Sequence, residues 1–330
     1  MTSILPTPAE VRAAAARIAS HVVRTPLIPS PGLSAIAGGE VLLKLECDQH
    51  GGSFKLRGAL NALLSLTPAE RARGVVASSA GNHGIGVAMA AELLQVPATI
   101  FVPATAPAVK REKIAARGAR VDASCASYDA AESAARAHAA ATGATFVSPC
   151  TGRALLAGAG TVGAEILDDL PSAGTIVVCV GGGGLAGGVG GYVRGTAPGV
   201  RILGAQALRT NAMSLALRSG RPTDIPDLPT LADGLAGLVD AEMLAQGQAS
   251  LDGIATVDED DLIEAIVWLH REHGLTVEGS GAAGVAALRS GALRPQAFPV
   301  VIVVSGRNID AGRWRGLVGG GDGLAEASLL

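Results

Sequence analysis

Aromatic side chains are nearly missing from this sequence: they make up 2% of its 330 residues, with four Phe, two Tyr and two Trp. That excludes the stacking platforms on which proteins hold single-stranded nucleic acid. Lysine is scarce too, at Lys44, Lys55, Lys110 and Lys113 only. With 26 Lys+Arg against 29 Asp+Glu the net charge is -3, and no basic block is present to neutralise a run of phosphates, so nucleic acid is not an expected partner. No uninterrupted apolar run is long enough to span a bilayer, and Met1 to Ala9 lacks a basic stretch followed by an apolar one. The expectation is a cytoplasmic protein with no membrane partner. The four cysteines, Cys47, Cys125, Cys150 and Cys179, are far apart and show no spacing of a zinc or redox motif, so they are expected to be reduced.

What the chain has in quantity is apolar residues and glycine. A 48% hydrophobic content over this length supports a large core in one or two domains. Its 45 glycines cluster, as they do where backbone must approach a ligand closely.

Thr7-Pro8-Ala9-Glu10 combines a capping hydroxyl, an early proline and a carboxylate three residues after the cap, so a helix is predicted from here to about His21. The same signature returns at Thr67-Pro68-Ala69-Glu70. Between them a strand is predicted at Val41 to Glu46 and a helix at Phe54 to Leu66. From Val75 onward short apolar runs alternate with helical segments: Val75 to Ser78, Ala98 to Val102, Val121 to Ala123, Thr145 to Val147, Thr175 to Val180, Arg201 to Ala205 and Phe298 to Val304. Alternation of this kind means an α/β protein with mostly parallel sheets buried on both faces. Ser219 to Gly237, rich in Pro, Asp and Gly, is the one long irregular stretch.

In an open parallel sheet, ligands bind at the carboxyl ends of strands. Three glycine-bearing segments fall there: Ser79-Ala80-Gly81-Asn82-His83-Gly84, Gly181 to Gly184, and Ser305-Gly306-Arg307-Asn308. The tetraglycine turn follows a strand and opens a helix, so its N–H groups converge on an anion, and a phosphate is the expected occupant. It has neither the Lys-Ser/Thr of a nucleotide P-loop nor a G-x-G-x-x-G spacing. The Ser79 to His83 turn mixes small residues with donors and suits a carboxylate, although Asn and Ser also favour caps and turns. Lys55 lies among small and apolar neighbours in Gly51-Gly52-Ser53-Phe54-Lys55-Leu56-Arg57-Gly58-Ala59. A nucleophilic lysine needs desolvation or nearby positive charge, and Arg57 with an apolar surround offers both. Two further clusters have plainer explanations. His270 and His273 fit a solvated helix end better than a metal site. Asp258 to Asp261 suits a helix start, where the macrodipole favours negative charge.

A lysine after Ser-Phe, an Asn-His glycine loop, a tetraglycine loop and a late strand ending in Ser-Gly follow one another in a familiar order. From roughly Thr25 to Asp310 the chain resembles the fold type II pyridoxal-phosphate enzymes (tryptophan-synthase-β-like), and within them the serine/threonine ammonia-lyase (threonine dehydratase) and serine racemase group. Gly158-Ala159-Gly160-Thr161, Ala232-Asp233-Gly234 and Glu278-Gly279-Ser280-Gly281 belong to the same pattern. The resemblance implies two domains, each with a twisted, mostly parallel sheet flanked by helices. The large one would comprise 1–73 and 150–330, the small one 74–149, with no C-terminal regulatory domain. It implies pyridoxal 5'-phosphate held covalently by Lys55, with its phosphate on Gly181, Gly182, Gly183, Gly184 and Leu185. Phe54 would pack on the ring, Asn82 contact its hydroxyl and Ser305 bond its nitrogen. The substrate carboxylate would meet Ser79, Ala80, Gly81, Asn82 and His83.

The activity implied is elimination of the β-hydroxyl of a serine- or threonine-like amino acid by a homodimer. β-Replacement, racemisation and a binding protein that has lost catalysis stand as alternatives. Ala159, Gly279 and Arg307 replace the usual glutamine, proline and glycine. Pro149-Cys150-Thr151-Gly152-Arg153 replaces a common Pro-Phe-Asp-Asp-Pro and is expected to face the substrate side chain. Gln206 and Ala212 stand where some relatives hold a divalent cation with carboxylates, so no metal is expected. Ala80, where racemases carry a serine, points to slow or no racemisation.

Overall fold

Ten short strands pair into two sheets in the computed structural model, which describes residues 3–319. One sheet has the order β1-β2-β10-β7-β8-β9 and the other β5-β4-β3-β6. The six-stranded sheet contains β1 (Leu27–Pro29), β2 (Val41–Lys44), β7 (Thr175–Cys179), β8 (Arg201–Ala207), β9 (Gly253–Val257) and β10 (Val300–Val303). The four-stranded one contains β3 (Val75–Ser78), β4 (Ala98–Pro103), β5 (Arg120–Cys125) and β6 (Thr145–Phe146). Every pairing is parallel except that of β1 with β2. The helices, in chain order, are α1 (Pro8–Ile18), α2 (Pro31–Ala37), α3 (Lys55–Leu64), α4 (Pro68–Arg73), α5 (Asn82–Leu94), α6 (Ala108–Ala115) and α7 (Tyr128–Thr142). They continue with α8 (Arg153–Asp169), α9 (Gly184–Thr196), α10 (Ala212–Ser219), α11 (Ala241–Ser250), α12 (Glu259–His273), α13 (Gly279–Arg289) and α14 (Ala311–Val318).

Local chemistry accounts for much of this. Both Thr-Pro-Ala-Glu segments form reciprocal capping boxes, which satisfy N–H groups that the first turn leaves without partners. β7 and β10 are buried along their whole length, as their unbroken apolar sequences require. Asp258 caps α12 and bonds the amide of Asp261, which explains the carboxylate run there. β9 has no counterpart among the expected strands. It is an edge strand whose residues are mostly half-buried, so it lacks the apolar run that marks its neighbours. The expected irregular stretch is present, interrupted by a 3-10 turn at Asp233–Leu235.

The two sheets share α3. Its Leu56, Ala59, Leu60 and Leu63 lie in the core beneath the smaller sheet, with Val75, Ala77 and Ile100. Its backbone also packs on α8 so closely that a side-chain carbon on Gly158 would collide with the carbonyl of Arg57. Two residues along, on the other side of α8, a carbon on Gly160 would lie 2.6 Å from the Gly188 carbonyl of α9. The Gly158-Ala159-Gly160 motif is therefore the crossing point of three helices.

Arg57 departs from its expected role. Fully buried, it donates to Glu46 (Nε–Oε2 2.8 Å, Nη2–Oε1 2.8 Å), to Glu165 (Nη1–Oε1 2.6 Å), to Thr161 and to the Val23 carbonyl. Lys44, also fully buried, donates to Glu165 (2.6 Å) and to the Thr25 carbonyl (2.7 Å). Burial opposes the charge on Arg57, but Glu46 and Glu165 outweigh it and hold the guanidinium more basic than usual. Two cations and two carboxylates thus cancel, and Arg57 is not the free positive neighbour of Lys55 that the sequence suggested.

Removing one member of a buried ion network strands its partners. Arg57→Met is expected to lower stability by about 3–5 kcal/mol, read from the urea unfolding midpoint. Glu132→Gln, which breaks an exposed pair with Arg136 one helical turn away, should cost about 0.5 kcal/mol or less. Equal midpoints for the two variants would contradict this account of the network.

Candidate active site

Lys55 opens α3 at the end of a segment that is stitched to residues 250 positions away. Phe54 N–H donates to the Ser305 carbonyl (3.2 Å), Arg307 N–H to the Gly52 carbonyl (2.9 Å) and the Asn308 amide to the Gly51 carbonyl (2.8 Å). Ser53 and Gly306 form an isolated antiparallel bridge. Half-buried, Lys55 donates from Nζ to the Pro149 carbonyl at 2.8 Å and lies 5.2 Å from the centre of the Phe54 ring.

The tetraglycine turn joins β7 to α9, whose first residues are Gly184 and Leu185. Gly183 has φ +87°, a conformation that strains any residue with a side chain. A side-chain carbon on Gly182 would sit 2.6 Å from Cys150 Sγ. Pro149 and Cys150 therefore lie between the lysine and the glycine turn. The rest of that segment turns away: Arg153 binds Glu10 of α1 at the surface (Nη2–Oε2 2.7 Å), and Thr151 bonds Ser148. The expectation that residues 150–153 together face a substrate side chain is corrected by this geometry.

At the end of β3, Gly81 precedes the first turn of α5, so unpaired N–H groups of a helix N-terminus point outward beside Ser79. Ala80 is fully buried in the core beneath the smaller sheet. Asn82 donates to Glu278 (Nδ2–Oε1 2.6 Å) and accepts from Asn308 (2.7 Å). The His83 ring is buried and bonds the Val147 carbonyl through Nε2 (2.9 Å), while Nδ1 has no partner among the described residues. Burial and then the charge of Lys55 push His83 down to about 3, so the imidazole is neutral.

Ser305 ends the site on the β10 side. Its hydroxyl accepts from the thiol of Cys179, the last residue of β7, at 3.0 Å. Burial pushes that thiol up to about 11. Glu278 is wholly enclosed, and burial followed by Asp233 raises it to about 7 against the Asn82 bond and Lys110. Asp233 in turn pairs with Lys110 of α6 at 2.5 Å.

Lys55, Asn82, Ser305 and the glycine turn are thus brought near one another. Four participants were not anticipated. Glu278 and Asn308 sat inside recognised motifs, Cys179 ends the buried strand β7, and Pro149 contributes a carbonyl, which no sequence signal marks. Among the departures from the family pattern, Arg307 reaches Asp48 (3.4 Å), and a side-chain carbon on Gly279 would collide with the Leu231 carbonyl. Gln206 is buried and accepts from the Ser214 amide (3.0 Å).

The donor set suits a phosphorylated pyridine aldehyde. It offers a primary amine, a backbone cradle with no room for side chains, a hydroxyl and an amide, all at the carboxyl ends of strands. Residues 18–306 match the family described as pyridoxal-phosphate dependent enzyme. An L-threonine ammonia-lyase of Thermotoga maritima is 40% identical over 302 residues, covering 91% of this chain and 75% of that protein. A serine racemase of Oryza sativa subsp. indica is 34% identical over 307 residues, covering 92% and 91%. The structure of maize serine racemase superposes with a TM-score of 0.89 at 32% identity, covering 93% of this chain and 95% of that one. The chain belongs to the pyridoxal-phosphate-dependent enzymes of fold type II.

Proposed function

We propose that the protein is an ammonia-lyase that removes the β-hydroxyl of a serine- or threonine-like amino acid and yields a 2-oxo acid and ammonia. The observation that carries this reading is Ser305: a neutral hydroxyl, not a carboxylate, closes the site opposite Lys55. We further take it to be a cytoplasmic homodimer with residues 74–149 as a small domain, since all four strands of the smaller sheet come from that stretch.

Gly181 to Gly184 and Leu185 would hold the phosphate, Lys55 the reactive carbon, Asn82 the ring hydroxyl and Ser305 the ring nitrogen, with Phe54 against the ring. When bound, pyridoxal phosphate supplies an electron sink for the bond broken at the substrate's α-carbon. Every other requirement falls on the chain. The substrate carboxylate is received by the backbone N–H groups of residues 79–83 at the start of α5, because the neutral His83 ring brings no charge and is tied to Val147. The Lys55 amine takes the α-proton as general base. Its bond to the Pro149 carbonyl aims the amine across the cleft towards the glycine turn.

Ala80 argues against racemisation, which needs a second acid or base on the opposite face. Its methyl group is packed in the core and has no proton to give. β-Replacement would need the altered segment 150–153 to face a second nucleophile, and Arg153 is instead bound to Glu10 at the surface. Loss of catalysis fits poorly with a site that keeps its lysine, both amides, its hydroxyl and its cradle.

Three outcomes are expected. Lys55→Ala should abolish both turnover of serine and threonine and the visible absorption that the cofactor shows when joined to a lysine; an unchanged spectrum would show that Lys55 is not its anchor. In deuterated water the natural protein should convert L-serine to oxo acid with little D-serine formed, whereas fast interconversion of the enantiomers would mean that a group other than residue 80 reaches the second face. The third concerns Glu278, whose folded value of about 7 lies above the ordinary 4.5. The native state then holds a proton that the unfolded state releases, so the contribution is full below pH 4.5 and is lost as pH rises through about 7. It amounts to on the order of 3 kcal/mol. In the cofactor-free protein, the stability difference between wild type and Glu278→Gln should change across that window; a constant difference would place the Glu278 proton elsewhere.

A further inference from the structure

Cys179 takes no part in the chemistry described so far, yet it holds one of the groups that does. β7 and β10 are parallel neighbours in register, so their carboxyl ends bring Cys179 and Ser305 to the same place. The Ser305 backbone is pinned independently, since its carbonyl accepts from Phe54 N–H beside Lys55. Only the orientation of its hydroxyl is left to be set. Both residues are buried, at 6% and 3% exposure, and the S–H···O contact of 3.0 Å is the one bond that Ser305 Oγ makes among the described residues.

A hydroxyl has one proton and two lone pairs. Once a thiol donates into one lone pair, the serine's own proton must point elsewhere, and Ser305 Oγ makes no second hydrogen bond among the described residues. We infer that Cys179 is a positioning residue: its thiol turns the Ser305 proton towards the cofactor's ring nitrogen and so keeps that nitrogen unprotonated. This rests on the reading that Ser305 meets the ring nitrogen.

The polarity depends on the thiol remaining a thiol. Burial dominates there and outweighs the opposing Ser305 hydrogen bond, with Glu278 ahead of α13 adding to it and Lys55 on α3 opposing it, and the outcome is a group protonated at neutral pH. A thiolate would accept from Ser305 and leave its oxygen free for a protonated ring, reversing the arrangement. An unprotonated ring is the weaker electron sink. It disfavours the long-lived carbanion that racemisation and transamination use, and it leaves β-elimination as the open route.

The test uses holoenzyme loaded with pyridoxal phosphate carrying 15N at the ring nitrogen, whose NMR position reports protonation directly. At neutral pH the natural protein and Cys179→Ser, which keeps a donor, should show the unprotonated position. Cys179→Ala and Cys179→Val should both move towards the protonated one, with a several-fold rise in protonated fraction; the valine variant fills the volume should the alanine variant fail to fold. A resonance in the valine variant identical to wild type, or a protonated ring in wild type, would overturn the inference. Ser305→Ala separates the levels: if it leaves the resonance unmoved, Ser305 does not meet the ring nitrogen and the underlying reading falls with the inference. A protein that takes up no labelled cofactor would overturn the functional reading itself.

Discussion

Four charges, three of them fully buried, hold this protein in working shape. Arg57 lies two residues from Lys55 on the same helix, and its guanidinium joins Glu46 after β2 to Glu165 of α8, while Lys44 closes the set. Such a network is weakly stabilising compared with an apolar core of the same volume, but it tolerates only one geometry, because displacing any member leaves a charge without a partner. α3 is consequently fixed against the larger sheet through its polar side and packed beneath the smaller one through its apolar side. Lys55 is placed by the same helix that couples the two sheets.

Around that lysine, enclosure decides the charge of nearly everything else. His83 is too buried to be cationic, Cys179 too buried to ionise, and Glu278 is raised far above an ordinary carboxyl group. The site therefore offers hydrogen bonds more than charge. It suits a reaction in which a phosphate and a carboxylate are gripped by backbone N–H groups and a single amine handles protons. Ser305, bonded by Cys179, belongs to the same design: it brings a polar group without a charge.

The Thr-Pro-Ala-Glu boxes were legible because capping involves residues three apart. The buried strands were legible because burial on both faces leaves unbroken apolar runs. β9 was not, being half-buried at an edge. Arg57 was misjudged because adjacency along a chain says nothing of which carboxylates lie across the fold. Arg153 was misjudged likewise: it sits next to the site in sequence and at the surface beside α1 in space.

By itself the sequence determined the α/β class, the strand-end glycine turns, the single lysine suited to nucleophilic work and the small residues that a phosphate requires. These follow from local propensities and from motifs a few residues long, which need no partner elsewhere. Only the tertiary structure decided that Pro149 holds the lysine, that Asn82 reads Glu278, that Cys179 directs Ser305 and that Arg57 is neutralised. Each of those is a contact across 90 or more residues or an effect of burial. Such contacts exist only once two strand ends, or a helix and a loop, have been packed side by side and water has been removed from between them.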